Sequence, residues 1–171
     1  MPSKHPANSI ICQMIQRDVQ QRPEMIKVVQ RTKRPKIRFP IYLTKQTNLH
    51  REAMSGSVEK VGKIIELNVN VDLDDEDGWT ALIYAAVYGH VKVVEMLLVA
   101  GADANAATNQ SRKTSLMKAA RYGHVEVVKK LLLQTNVNFN AADAKGRTAL
   151  SLAEIGGYDD IIKILREARA V

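Results

Sequence analysis

One pattern is written four times between Thr47 and the end of the chain, and this recurrence constrains the fold more than any single residue does. The copies start at Thr47, Thr80, Thr114 and Thr148, so that successive starts lie 33, 34 and 34 residues apart. A fixed period in this range is typical of stacked-repeat architectures, in which each repeat buries its apolar face against its neighbours. The sequence therefore predicts a stack of four similar units.

The second copy shows how each unit is organised. Residues 75–78 form a polar turn in which Gly78 supplies the bend, and Thr80 follows as a helix cap. Apolar residues then recur at helical spacing until Gly89 and His90, after which a second apolar helix begins at Val91. Each copy is thus predicted to contain a finger loop and two helices.

The threonine start, the paired small residues of the first helix and the Gly-His ending together resemble the ankyrin repeat. The resemblance covers about three quarters of the chain. It implies an all-α ankyrin-repeat solenoid of four helix-turn-helix repeats with short finger loops, at about residues 44–74, 75–107, 108–142 and 143–171. A basic segment, residues 1–43, precedes this domain and is expected to be a short helical or partly disordered N-terminal segment. Proteins with such repeats usually bind other proteins, so we expect a scaffold or adaptor rather than an enzyme.

Several departures from the repeat pattern carry structural expectations. Glu52 and Arg166 occupy inter-repeat positions and suit end caps, since terminal repeats present one face to water. The third finger has Arg112 where glycine is expected and carries one extra residue, which predicts a looser turn.

A second set of positions, just after the second helices, is expected to need a left-handed backbone. Glycine and asparagine tolerate that conformation best, and they occupy these positions as Asn68, Gly101 and Asn136.

The formal net charge of +7 is unevenly distributed. Residues 1–46 hold ten Lys or Arg against two acids, whereas residues 47–171 hold fifteen against sixteen. The repeats are therefore not a basic domain, which argues against nucleic-acid binding by the stack. The single cysteine, Cys12, and the absence of a long apolar run favour a soluble cytoplasmic protein, with nuclear import through the basic cluster Arg31–Arg38 as the alternative.

The sequence offers no convincing metal, cofactor or catalytic site. His90 and His124 stand one repeat apart and fill the structural Gly-His position, so they are not expected to converge on one ion. The acidic run 72–77 lacks the loop spacing of a calcium site. The chain contains no phosphate-binding glycine loop, nucleophile elbow or paired cysteines.

Partner contacts in ankyrin repeats usually come from the finger tips and the exposed edge of the first helix. Carried over position by position, the resemblance implies a surface that holds three of the eight aromatic residues, among residue types common in binding hot spots. Its charge runs from acidic in the second finger to basic in the third and fourth, which implies a partner polarised the opposite way. The alternative is that the rings only pack between repeats. The candidate residues are Glu76, Asp77, Trp79, Val87 and Tyr88; Gln110, Ser111, Lys113, Arg121 and Tyr122; and Ala144, Lys145, Arg147 and Ile155.

Residues 9–30 resemble the last segment of a protein-kinase domain, as in kinase–ankyrin fusions of the NIMA-related type. An apolar helical pattern ends near Arg17-Asp18-Val19 and is followed by Arg22-Pro23 and a second apolar stretch. In that family a proline stands where Val19 stands here, and the glutamate that pairs with the arginine at Arg22 belongs to a segment this chain lacks. The resemblance leaves two readings open, a kinase-tail remnant or a chance pair of amphipathic helices.

Three classes of function remain compatible with the sequence. The first is a monomeric ankyrin module with an unidentified protein partner and no membrane contact. The second is the C-terminal fragment of a Ser/Thr kinase, itself catalytically incomplete, since ATP-binding and catalytic motifs are missing. The third, nucleic-acid binding through residues 31–38, would weaken steeply with salt.

Overall fold

The computed structural model describes residues 41–169, with side chains from 48 to 168. These residues form eight α-helices in four pairs. In chain order the helices are α1 Ile41–Ser55, α2 Val58–Ile65, α3 Ala81–Tyr88, α4 Val91–Val99, α5 Ser115–Tyr122, α6 Val125–Leu132, α7 Ala149–Gly156 and α8 Asp159–Arg169.

The first helices of the pairs, α1, α3, α5 and α7, pack on one another in chain order, and the second helices form a parallel layer in the same order. Each repeat therefore contacts mainly its neighbours, which confirms the predicted four-repeat, all-α solenoid. The beginning of the first copy differs from the other three, because α1 starts at Ile41 and Thr47 lies inside it rather than at its start.

Threonine caps and left-handed glycines delimit the first helices of the last three repeats as the pattern predicts. Thr80, Thr114 and Thr148 have extended backbones, and each side-chain oxygen accepts a hydrogen bond, 3.3 Å long, from the backbone N–H three residues on. Satisfying an otherwise unpaired N–H at this position stabilises a helix by about 1 kcal/mol. Glycines with φ between 71° and 79° end the same helices; they are Gly89, Gly123 and Gly157.

The core lies between the two layers and is built from small residues on one side and larger ones on the other. Ala85 and Ala86 of α3 are fully buried, which lets neighbouring first helices approach closely. Val93, Val94 and Leu97 of α4 are also fully buried. At about 1.5–3 kcal/mol for each large buried apolar side chain, this recurring core is the main source of stability.

Glu52 corrects one expectation. We expected its charge to face water at the end of the stack, but the residue is 6% exposed. Its carboxylate lies 3.3 Å from the nitrogens of both Lys60 and Arg51, so these cations satisfy the charge instead of solvent. At the other end, Arg166 is exposed as predicted and pairs with Glu154 at 3.0 Å.

The prediction of left-handed residues after the second helices is confirmed at two positions and wrong at the third. Asn68 has φ 56° and Gly101 has φ 89°, but Asn136 does not have a positive φ. Its carbonyl instead accepts a 2.8 Å hydrogen bond from the side-chain nitrogen of Asn105 in the preceding repeat.

Candidate partner-binding surface

The second finger is closed by the carboxylate of Asp75. One oxygen accepts hydrogen bonds from the backbone N–H groups of Asp77 (3.0 Å) and Trp79 (2.9 Å). The other accepts a 2.7 Å bond from the hydroxyl of Tyr84, which lies on α3. Burial alone would raise the pKa of Asp75, but these three donors outweigh it and lower the pKa below its ordinary value. Asp75 therefore fixes the finger to the first helix of its own repeat.

The fourth finger is also closed by an aspartate, Asp143, whose second oxygen is bonded to an arginine instead of a tyrosine. One oxygen of Asp143 accepts from the backbone N–H groups of Lys145 (2.8 Å) and Arg147 (2.9 Å). The other accepts from both Nε and Nη2 of Arg147, at 3.0 and 2.8 Å, so two guanidinium N–H groups of the ion pair donate to one carboxylate oxygen. Burial opposes ionisation of Asp143, yet the hydrogen bonds and charge of Arg147 lower its pKa to about 2.

The third finger replaces this aspartate with Thr108, and its turn is one residue wider than those of the second and fourth fingers. The hydroxyl oxygen of Thr108 accepts from the backbone N–H of Lys113 at 3.1 Å and lies 2.7 Å from that of Ser111. Arg112 adopts φ 50°, the left-handed conformation that glycine holds in the other fingers. Backbone hydrogen bonds compensate for this unusual arginine, so the extra residue is accommodated in an ordered turn.

Neighbouring fingers are joined to one another by main-chain hydrogen bonds. The N–H of Asn109 donates to the carbonyl of Asp77, and that of Ala144 donates to the carbonyl of Ser111, each at 3.0 Å. The second, third and fourth fingers thus form one continuous edge, with acidic Glu76 and Asp77 in the second and basic Lys113 and Lys145 in the third and fourth.

Trp79 is half-buried and lies between two repeats. Its ring stacks obliquely on Tyr84 of its own repeat, with centroids 5.0 Å apart, and Tyr84 in turn lies 5.8 Å from His50 of the preceding repeat. On the other side, the Lys118 Nζ of the following repeat lies 3.9 Å from the Trp79 ring centroid, a cation–π contact. We call His50, Trp79, Tyr84 and Lys118 the inner cluster.

Two tyrosines project from equivalent positions at the ends of α3 and α5. Tyr88 and Tyr122 are each 52% exposed, and Ile155 near the end of α7 is 58% exposed. The Tyr88 ring stacks on His90 with centroids 6.2 Å apart. These side chains present apolar surface next to exposed Arg121.

The structure distributes the predicted site residues over two environments. Trp79, Val87, Ser111, Lys113 and Arg147 are half-buried, and Arg147 is held by Asp143 within its own finger. The exposed members are Glu76, Asp77, Tyr88, Gln110, Arg121, Tyr122, Ala144, Lys145 and Ile155.

The histidines of the Gly-His motif have a structural role, which explains their presence without a metal ion. Nε2 of His90 lies 3.0 Å from the carbonyl oxygen of Met54, and Nε2 of His124 lies 2.8 Å from that of Val87, so each ring donates to the preceding repeat. Among the residues that the structure describes, no three His, Cys, Asp or Glu side chains lie close enough together to hold a metal ion.

Sequence reasoning missed Lys118, which is 9% exposed although it carries a charge. Its position in the first helix matches that of Tyr84, four residues after the threonine cap. The sequence did contain one signal for this position: Lys118 carries a charge where the second copy has the aromatic Tyr84.

Comparison with known proteins agrees with this architecture. A family model described as "Ankyrin repeats (3 copies)" matches residues 19–108 and 97–170. No helix within residues 41–169 is both long and apolar enough to span a membrane. The predicted kinase-tail residues 9–30, the cluster Arg31–Arg38 and Cys12 lie outside the described residues.

Relatives of several kinds match shorter stretches of the chain. The inactive serine/threonine-protein kinase TEX14 of Mus musculus is 40% identical over 60 residues, which is 35% of this chain and 4% of that protein. The NAD-capped RNA hydrolase NUDT12 of Homo sapiens is 38% identical over 69 residues, 40% of this chain and 15% of the hydrolase. A protein of Ovis aries with ankyrin repeats, a SAM domain and a basic leucine zipper domain is 31% identical over 71 residues, 41% of this chain and 15% of the relative.

The chain spans only a small part of each of these relatives, whose whole-protein activities differ from one another. What they share with it is the repeat architecture. With four helix pairs, threonine caps on three of the first helices and a family match over most of its length, the chain belongs to the ankyrin-repeat family.

Proposed function

We propose that this protein is a protein-interaction module that binds its partner along the fingers and the exposed ends of the first helices. The observation that carries the proposal is the exposure of Tyr88, Tyr122 and Ile155 near the ends of three successive first helices. The two tyrosines occupy equivalent positions, and Ile155 stands one position earlier in its helix. Exposed rings of this kind are favourable interface anchors, because they bury large areas while losing little side-chain freedom.

The charges on the fingers support a polarised partner. Glu76 and Asp77 are exposed in the second finger, whereas exposed Lys145 lies in the fourth and half-buried Lys113 ends the third. Complementary charge mainly increases the association rate and fixes the register of docking. The partner is therefore expected to carry basic residues towards the second finger and acidic residues towards the third and fourth.

The test is capture of a partner from cell extract by the full chain, followed by affinity measurement with the purified partner. The double variant Tyr88→Ser/Tyr122→Ser is compared with Val99→Ser, which alters a side chain that is 89% exposed in the layer of second helices. We expect the double variant to bind about tenfold more weakly or worse, and Val99→Ser to bind like the parent. Equal binding by the parent and the double variant would refute this surface.

The unliganded protein is proposed to be a cytoplasmic monomer. Light scattering is expected to give a mass of 19.0 kDa, and fluorescence microscopy of the tagged full chain tests the compartment. A nuclear signal that disappears when the basic cluster Arg31–Arg38 is neutralised would instead favour nuclear import.

A second candidate function is that of the catalytically incomplete C-terminal part of a Ser/Thr kinase. It draws on the 60-residue similarity to a protein that is itself named as an inactive kinase. The purified chain is expected to bind no ATP and to transfer no labelled phosphate to itself or to a test protein. Phosphate transfer that copurifies with the chain would overturn both candidates, whereas an upstream reading frame with kinase motifs would favour the second.

A further inference from the structure

Within the described part of the chain, Lys118 is a nearly buried charge without a compensating acid. It is 9% exposed, and its Nζ lies 3.9 Å from the centre of the Trp79 ring. Among the described residues, neither an ion pair nor a hydrogen bond is formed by this ammonium group. A lysine is rarely buried unless it is paired, so its position calls for an explanation.

Comparison between repeats shows what is missing. Tyr84, the equivalent of Lys118 in the second repeat, donates to Asp75 at the base of its finger at 2.7 Å. The third finger has Thr108 at its base, and the Thr108 hydroxyl is already engaged by Lys113 N–H and Ser111. The third repeat therefore has a lysine at this position and a finger that supplies no carboxylate at its base.

The ammonium group also keeps access to solvent. In the described part of the chain, every side-chain nitrogen or oxygen that is completely buried has a hydrogen-bond partner. Because Lys118 Nζ has none there, it retains a small opening. Burial and the nearby charge of Lys113 lower the pKa of Lys118, and a carboxylate brought next to it would again favour the charged form.

We propose that Lys118 anchors an acidic side chain of the protein partner, whose Asp or Glu carboxylate occupies the place that Asp75 takes towards Tyr84. The inference rests on the proposed interaction function and adds the chemistry of one contact. Trp79 forms one wall of this site, and Lys113 adds a second positive charge. In a nearly dehydrated pocket such a charge-assisted contact is stronger than at an open surface.

The surroundings favour a carboxylate of a peptide over the backbone of a nucleic acid. Lys118 presents one ammonium group on a side chain that is 9% exposed, whereas nucleic-acid binding needs a track of exposed cations. The neighbouring finger moreover carries exposed Glu76 and Asp77, which would repel successive phosphates.

The experiment selects short random peptides displayed on phage against the immobilised full chain. The selected peptides are then synthesised, and their affinities are measured for the parent and three variants. Lys118→Met retains the length and apolar stem of the side chain without the charge. Thr108→Asp introduces a carboxylate at the base of the third finger, after the pattern of Asp75. Lys92→Met is the control, because that lysine has a 78% exposed side chain and lies on α4, paired with Glu95.

We expect the selected peptides to share an acidic residue at one fixed position. Lys118→Met and Thr108→Asp should each weaken peptide binding about tenfold or more. The control Lys92→Met should leave the affinity unchanged. Melting curves should show that all three variants remain folded. Replacing the shared acid by its amide in the peptide should cause a similar loss for the parent and almost none for Lys118→Met.

Other outcomes separate failure of this inference from failure of the proposed function. Peptides that bind through the first-helix ends but lack a shared acid, or that bind Lys118→Met as well as the parent, would overturn the role of Lys118 and leave the interaction function standing. If no peptide is enriched and the extract yields no partner, both proposals fail. Tighter Lys118-dependent binding of oligothymidylate than of any peptide would assign the pocket to phosphate instead.

Discussion

The imidazole ring of His124 lies directly on Gly89 of the preceding repeat. A Cβ atom added to Gly89 would come within 2.6 Å of His124 Nδ1, and the glycine itself has φ 73°. The Gly-His motif therefore works across repeats, since the glycine of one repeat makes room for the ring of the next. The same relationship joins Gly56 to His90 and Gly123 to Tyr158.

This packing predicts a difference between two otherwise similar glycines. Gly157 has φ 71° and also ends a first helix, but nothing lies within 4 Å of a Cβ added there. Gly157→Ala should therefore lower the free energy of unfolding by only about 1–2 kcal/mol, the cost of a left-handed conformation for a non-glycine residue. Gly89→Ala should lower it by about 1–3 kcal/mol more, because the His124 ring must also move. Chemical denaturation of both variants measures the difference, and equal losses would contradict the role of the ring.

Gly101 isolates the backbone contribution by itself. It has φ 89° and no atom within 4 Å of an added Cβ, so only its conformation requires glycine. Gly101→Val should destabilise the protein by about 1–3 kcal/mol, because a β-branched side chain disfavours positive φ. Gly101→Asn is the matched control, since Asn68 holds the equivalent place with φ 56°. The prediction is wrong if the two variants melt at the same temperature.

Local rules account for the features that could be read from sequence. The Thr80 cap, the left-handed Gly89 and the alternation of two helices each depend on a few consecutive residues, and they recur in every well-formed copy. The errors arose where a residue's environment comes from another segment. Glu52 is satisfied by Lys60 of the next helix, and the carbonyl of Asn136 accepts a hydrogen bond from Asn105 of the preceding repeat.

The candidate surface likewise has features that the sequence predicted and contacts that it did not. Exposure of Tyr88 and Tyr122 follows from their position in the repeat and was predictable. The engagement of Arg147 by Asp143 and the burial of Lys118 beside Trp79 depend on which side chains meet across fingers and repeats. A single sequence does not specify those encounters, because several residue types fit each position.

Asp143 predicts how stability depends on pH. Its pKa is about 2 in the folded protein, below the ordinary value of 3.8, despite a burial that opposes ionisation. A lowered folded-state pKa contributes stability that is complete well above pH 3.8 and is lost as the pH falls towards 2. Denaturant unfolding between pH 7 and pH 2 should show this loss.

The variant Asp143→Asn tests the assignment. It should be less stable at neutral pH, by about 1–3 kcal/mol, because Arg147 loses its ion pair and the finger loses an acceptor. It should also lose less additional stability than the parent as the pH falls from 4 to 2. Parallel pH profiles for parent and variant would show that another group dominates acid unfolding.

The repeats are expected to fold without the preceding segment. The sequence placed the boundary at residues 43 and 44, and the first described helix begins at Ile41, so the cleaner truncation contains residues 41–171. Because contacts run mainly between neighbouring repeats, this shortened chain should retain a helical circular dichroism spectrum and a cooperative melt. A chain without a cooperative transition would show that residues 1–40 contribute to the core.

Trp79 offers the sharpest test of how packing and binding are combined on this surface. Its ring contacts Tyr84 and lies under Lys118, so Trp79→Ala removes an aromatic pair and a cation–π contact between repeats. A fully buried tryptophan would lose about 3–5 kcal/mol. This half-buried one should lose less, about 1–3 kcal/mol, and leave a cooperative melt at lower temperature.

Binding should fall in the same variant for a separate reason. The open part of the ring is a wall of the site proposed around Lys118, so we expect Trp79→Ala to weaken partner affinity about tenfold or more even below its melting temperature. Trp79→Phe preserves an aromatic wall and should recover most of the affinity, while Tyr122→Ala should weaken binding with little change in melting. If Trp79→Ala melts early yet binds the partner as tightly as the parent, Trp79 acts only in packing, and the partner contacts lie on the exposed tyrosines instead.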